Sequence, residues 1–205
     1  MKSKVFLLLG IIMLSMLMGC GSNAWYHIEL HEVERPALAK ERYGEQKIIT
    51  TQEEGEDKYV FEDEMVKILW LPEPDAIRFH LTNKTTHSIK IIWDEAAYVD
   101  VNGNSRRVMH SGVKYIDRTN PQPPTTVVRN GSIKDLIFPT DNVYFSGDRW
   151  VKKPLFPHAG FTATGLSSEV EPYRNKSFQV LLPLQIEDVV NDYIFVFNIK
   201  DIQVK

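Results

Sequence analysis

Cysteine, long apolar runs and excess positive charge are all scarce in this chain. Among 205 residues there is one cysteine, Cys20, which excludes a disulfide framework and any paired-cysteine metal site. Only one apolar run is long, Val5 to Met18, and it falls short of the roughly 20 residues that a helix needs to cross a bilayer. Lysine and arginine number 24 against 27 acidic residues, for a formal charge of −3, so nothing draws the chain onto nucleic acid or anionic lipid head groups. Zinc-protease His-Glu-x-x-His, nucleophile-elbow Gly-x-Ser-x-Gly and phosphate-cradling glycine patterns are missing from the sequence, and there is no fixed-period repeat. The serines beside glycine in "HSGV" and "FSGD" read as turns.

What is present begins with order at the amino terminus. Lys2 and Lys4 precede the apolar run, which stops at Gly19-Cys20 before the polar Gly21-Ser22-Asn23. A basic start, a short apolar stretch and small residues predict a secretory leader, set against an uncleaved amino-terminal anchor or a core helix. Leu17-Met18-Gly19-Cys20 resembles the lipobox of bacterial lipoproteins, in which the thiol is acylated and everything before it is removed. The resemblance implies a leader at 1–19, a lipidated tether at 20–24 and a single domain at 25–205. It also implies attachment to a lipid bilayer through acylated Cys20 and location in the cell envelope. Gly21 rather than Asp after the cysteine is the choice that the resemblance associates with outer-membrane sorting in a two-membrane cell. One acyl chain binds a bilayer only marginally, so stable anchoring requires the two or three chains typical of that family. Cleavage takes 19 of the 205 residues and two lysines, leaving 186 residues at a charge of −5. With four residues of tether, about 14 Å at full extension, the domain would sit close to the membrane.

The remainder reads as strands. Period-two alternation places Tyr26, Ile28 and Leu30 on one face of "YHIELHEV", and Val66, Ile68 and Trp70 on one face of "VKILWL". The same pattern aligns Ile77, Phe79 and Leu81, then Ile89, Ile91 and Trp93, then Phe178, Val180, Leu182, Leu184 and Ile186. Residues 193–197 are apolar on both faces, as expected for a strand inside a sheet. Asn102-Gly103 and Asn130-Gly131 predict hairpins in which both turn residues adopt positive φ. "RPALAKERYG" is the one helix candidate, with Pro36 near its start and Gly44 at its end. Residues 140–172 predict short strands and long loops. The expectation is a mainly β protein with little helix: an antiparallel immunoglobulin-like β-sandwich. Residues 81–113 resemble segments of uncharacterised sandwich-type bacterial lipoproteins, a likeness that carries no activity to any residue.

Candidate chemistry is sparse. His27, Glu29 and His31 share one face of a strand and form a weak metal candidate, although their spacing fits no established motif. The acidic run at 53–57 reads as a solvated turn rather than a calcium loop. A Ser-His-Asp cluster assembled by folding has no local signature. His110, Tyr115 and Arg118 lie on a loop stiffened by Pro121, Pro123 and Pro124, and tyrosine and arginine are enriched at interface hot spots. This loop is the best candidate for a contact with an envelope protein partner. The chain is accordingly expected to be a non-catalytic adaptor or accessory lipoprotein that needs no cofactor. An anchored binder of a small ligand or metal is the second reading, and an anchored hydrolase the third.

Overall fold

The computed structural model describes residues 21–53 and 56–205. Cys20 and its leader lie outside the described residues, as do Glu54 and Gly55 within the acidic run. Every strand pairing is antiparallel. The result is the mainly β, sandwich-like architecture that the alternating pattern predicts.

The first sheet is built on β1 (Ser22–Glu34), β15 (Val189–Val204) and β14 (Ser177–Ile186), with β13 (Ala159–Gly160) at the outer edge of β1. Two short strands share the other side of β14: β6 (Ile89–Ile91) meets its end and β7 (Ala97–Val99) its beginning. Between them the chain detours through Trp93. Pro183 in β14 lies opposite this detour, and its carbonyl accepts from the Ile92 N–H at 3.0 Å. In a strand the N–H and C=O of one residue point the same way, so the amide hydrogen that proline lacks would face the break, and no ladder bond is lost. Beyond these strands, β9 (Thr125–Val127) extends β6, and β8 (Ser105–Met109) extends β7.

A second sheet runs β2 (Lys47–Glu53), β3 (Glu56–Glu62), β4 (Val66–Pro72), β5 (Ile77–Asn83) and β10 (Ser132–Pro139). The two sheets join where Phe138 and Pro139 of β10 pair with Met109 and Val108 of β8. Between the layers lies an aromatic core. Trp70 of β4 meets Phe195 and Phe197 of β15 at ring-centroid distances of 4.6 and 5.5 Å, and Phe61 of β3 meets Phe195 at 5.5 Å. These rings come from the inward positions of the period-two runs and are fully buried, worth about 1.5–3 kcal/mol each in transfer from water. Trp70 Nε1 is buried there without a hydrogen-bond partner.

β15 sits inside its sheet, between β1 and β14, as its apolar run requires. Only one of its faces is fully buried. Tyr193, Phe195 and Phe197 point into the core, whereas Ile194 and Val196 are half-buried on the outside.

A buried polar cluster closes the end of the sandwich opposite Ser22. Asp63, with a fully buried side chain, accepts from the Met65 and Val66 N–H groups at 2.9 Å each and from the Tyr193 hydroxyl at 3.1 Å. Arg35 lies 3.4 Å from it and also donates to the Gly44 carbonyl at 3.0 Å. Burial, with Asp63 beside it, pushes the Tyr193 hydroxyl well above the usual tyrosine range.

The hairpin expected at Asn102-Gly103 forms, joining β7 to β8, but with a different turn, and the one expected at Asn130-Gly131 does not form. At 100–104 only Gly103 takes a positive φ, 83°. The Gly103 N–H returns to the Asp100 carbonyl at 2.9 Å, and the Asp100 carboxylate accepts from the Asn102 and Asn104 N–H groups. This is a three-residue loop with glycine at its left-handed position, organised by an aspartate three residues earlier. At 130–131 Asn130 has φ 56°, but the strands on either side do not pair with each other: β9 joins β6, and β10 joins β5 and β8. That turn passes the chain from one sheet to the other.

The expected helix shrinks to one turn, α1 (Ala39–Tyr43), ended by Gly44 at φ 71°. A second helix, α2 (Ala163–Val170), occupies part of the stretch predicted as loop. Thr162 caps it by accepting from the Gly165 N–H at 3.1 Å, and Leu166 and Val170, four apart, turn inward.

Candidate functional site

The loop after β8 and a hairpin that stands apart from both sheets make one surface. The hairpin pairs β11 (Val143–Ser146) with β12 (Arg149–Lys152) as a separate two-stranded sheet. Gly147 occupies the first of its two loop positions at φ 65°, and Asp148 keeps a negative φ. That is the type II′ geometry whose twist suits a tight hairpin. Gly-Asp between "VYF" and "RWV" is a hairpin signal in the sequence itself, missed because the flanking residues lack a long alternating period.

Aromatic contacts tie the two segments together. Tyr115 lies edge-on to Trp150 at 6.1 Å and to Phe138 at 6.5 Å, while Phe145 lies edge-on to Trp150 at 5.4 Å. The Arg118 guanidinium stands over the Trp150 ring, 4.9 Å from its centroid, and Lys152 stands over Phe138 at 4.4 Å. Burial holds the Lys152 ammonium below the usual lysine range, while Asp75 and Glu73 act against the shift. The patch nevertheless faces outward: Phe145 is 55% exposed and Ile116 70% exposed.

The loop is tied down at its base. Arg107 donates to the Asp94 carboxylate and to the Thr119 and Asn120 carbonyls at 2.6–2.7 Å. Gln122 is buried, with Nε2 donating to the Val108 carbonyl at 2.7 Å and its N–H to Asp94 at 3.1 Å. The prolines therefore follow a path fixed by hydrogen bonds as well as by their own φ.

His110 serves this base rather than the exposed patch. It stacks on the buried Trp93 at 4.3 Å with planes 3° apart, and its Nδ1 lies 3.1 Å from the Asp135 carboxylate. The other Asp135 oxygen accepts from Ser111 Oγ at 2.7 Å, the Ser111 N–H at 3.0 Å and the Leu136 N–H at 2.8 Å. Burial opposes ionisation of Asp135, but the hydrogen bonds from His110, Ser111 and Leu136 outweigh it and hold the carboxyl below its ordinary range. Folding thus brings a serine, a histidine and an aspartate together, with the aspartate in the middle. A hydroxyl that donates to a carboxylate is not lined up on an imidazole nitrogen, the alignment that activates a serine nucleophile. The group acts as a clamp between the loop and β10.

The weak metal candidate does not converge. The β1 register against β15 breaks between His27 and Ile28 and again between Leu30 and Glu32, so His27, Glu29 and His31 do not sit in one unbroken row. Glu29 is paired with Lys200 at 2.7 Å. Among the described residues no group of three or more His, Cys, Asp or Glu side chains could hold a metal. His27 instead helps line an open groove of about 770 Å³, with Trp25, Glu73, His158, Asp201 and Lys205 around it. A backbone bond from Ile202 and the Arg174 side chain hold the Asp201 carboxyl below its usual range.

Among the described residues no helix is long and apolar enough to cross a membrane. No family model, curated protein or solved structure matches the chain.

Proposed function

We propose that this is a membrane-anchored envelope lipoprotein, acylated at Cys20, which acts without catalysis as an adaptor or accessory subunit. The observation that carries this reading is the outward-facing aromatic and guanidinium patch of Phe145, Trp150, Tyr115 and Arg118. Aromatic and arginine side chains dominate interface energetics, and a surface ordered before binding avoids much of the entropy cost of association. His110 fastens the start of the loop that carries Tyr115 and Arg118 to β10 through Asp135.

The test is mild crosslinking and affinity recovery of the natively lipidated protein from its own membranes, beside Cys20→Ala and the double variant Phe145→Ser/Arg118→Ala. The adaptor reading expects one near-stoichiometric envelope protein whose recovery falls at least tenfold in the double variant. Equal recovery with all three forms, or none above background, refutes it.

A second reading rests on the groove beside Trp25 and His27. Its mixture of an indole, two imidazoles, two carboxylates and an ammonium suits a small polar ligand. Quenching of Trp25 emission by a candidate ligand, abolished in Trp25→Phe, would favour it over the adaptor.

A further inference from the structure

We propose that the end of the sandwich nearest residue 21 rests in the membrane interface, with Phe161 inserted at the boundary between lipid head groups and acyl chains. The inference builds on the lipoprotein reading of Cys20 and adds a direct side-chain contact that fixes how the domain stands.

Phe161 is 97% exposed, the most exposed large apolar side chain among the described residues. Its neighbour Gly160 pairs with Ser22, and Ala159 pairs with Asn23. Adjacent strands lie about 4.8 Å apart, so Phe161 stands one strand spacing and one residue from Ser22, where β1 begins. No slack separates that point from the anchor. The Asn23 N–H donates to the Lys205 carbonyl at 2.9 Å, the Lys205 N–H returns to the Asn23 carbonyl at 3.0 Å, and the Ala24 N–H donates to His158 at 2.9 Å. Only Gly21 and Ser22 lie between the acylated residue and the first of these bonds, at most about 10 Å of chain, so the lipid anchor keeps β13 close to the bilayer surface.

The surroundings suit that neighbour. An open groove of about 690 Å³ beside Phe161 is lined mostly by small or apolar residues, Gly21, Ala159, Gly160, Gly165 and Leu166, together with Thr162 and Glu169. Further along β1, Trp25 is 53% exposed with the Lys205 ammonium 5.8 Å from its ring centroid. An aromatic ring beside a lysine is a pairing that settles at the head-group level, where the ring takes the apolar side and the ammonium the phosphates.

The scarcity of cysteine supplies the test. Once Cys20 is acylated, Phe161→Cys gives a chain with a single free thiol, and so does Asp188→Cys in the turn that opens β15. β15 runs 16 residues from that turn to Val204, roughly 50 Å along the strand. Each natively expressed variant is labelled with an environment-sensitive fluorophore and reconstituted into phosphatidylcholine vesicles with and without head-group-region nitroxide lipid. The amino-terminal peptide is weighed in parallel.

The expected result is acylated Cys20, a blue-shifted label at 161 that loses more than about half its emission to the nitroxide, and a label at 188 that loses less than about a tenth, since interfacial insertion reaches only about 5–10 Å. An acylated chain with equal, water-like labels at 161 and 188 overturns the insertion and leaves the anchor standing. An unmodified Cys20 peptide overturns both. Phe161 makes no buried contact that its replacement could remove, so failure to fold does not confound the variant.

Discussion

Replacing Asp135 tests whether the His110 clamp holds the candidate contact loop. Its carboxylate is 4% exposed and accepts four hydrogen bonds, two from Ser111 and one each from His110 and Leu136. Ser111 is exposed, so its two donors return to water at little cost in Asp135→Ala. The His110 ring, 12% exposed, and the Leu136 N–H do not. Hydrogen bonds to ionised groups are worth about 1.5–3 kcal/mol each, so the two that stay dry sum to about 3 kcal/mol at the low end. With a urea slope of about 2 kcal/mol/M the midpoint falls by about 1.5 M, and Tm falls by roughly 6–12 °C.

Asp135→Asn separates charge from shape. Its amide oxygen can keep the three bonds on one side, and its NH₂ can face an imidazole nitrogen that has changed tautomer, so the loss should be about 1 kcal/mol. The pH dependence has a definite sign. The folded carboxyl is held below its unfolded value, so its contribution is present above the unfolded pKa and fades as pH falls through the lower folded pKa. Wild type and Asp135→Asn should therefore differ most near neutrality and converge in acid. Urea midpoints for both variants from pH 7 down to pH 3 decide the matter. A loss under about 0.5 kcal/mol for Asp135→Ala, or a gap that widens in acid, would refute the clamp.

Asp63→Ala strands the buried Arg35 and the Tyr193 hydroxyl and should cost about 4 kcal/mol by denaturant titration, whereas Tyr193→Phe should cost about 1. Trp70→Phe removes a buried indole N–H that has no partner, so it should cost less than about 2 kcal/mol, well under the 3–5 expected of Trp70→Ala, again read from unfolding midpoints. Gly147→Val forces a β-branched residue to φ near 65° and should cost the hairpin about 2 kcal/mol. Because that hairpin is a separate two-stranded sheet, hydrogen exchange should quicken at 143–152 while the main transition moves little.

The strand faces were legible because period two and burial on one side are the same fact. The inward positions of β4, β5 and β14 are those the sequence marks as apolar, from Val66 to Ile186. Strand order was not legible, since it depends on contacts such as Trp70 with Phe195 that join residues more than a hundred positions apart. Nor does the Asn130-Gly131 pattern reveal that its flanking strands choose other partners. The hairpin at 143–152 could have been read from Gly147-Asp148, and α2 from Thr162 followed by Leu166 and Val170. His110, Tyr115 and Arg118 were visible by residue type and loop chemistry. Asp135, which sorts His110 from the other two, lies in an ordinary alternating strand and carries no local mark. At His27, Glu29 and His31 the alternation was visible, but the two register breaks were not, because bulges follow from partner strands.

The direct entry of Gly21 into β1 also decides how the domain would carry force. β1 runs antiparallel to β15 through ten registered pairs, from Ala24 with Val204 to Glu34 with Ile194. A load applied at residue 21 and resisted at the far end, where β15 begins at Val189, pulls the two strands past each other along their length. The backbone bonds then share the load in parallel, as they would not if residue 21 and Lys205, which lie at the same end of the pair, were pulled apart and peeled the ladder open one bond at a time. If the proposed anchor at Cys20 is in place, tension between a bilayer and a partner bound near that far end would be borne in shear.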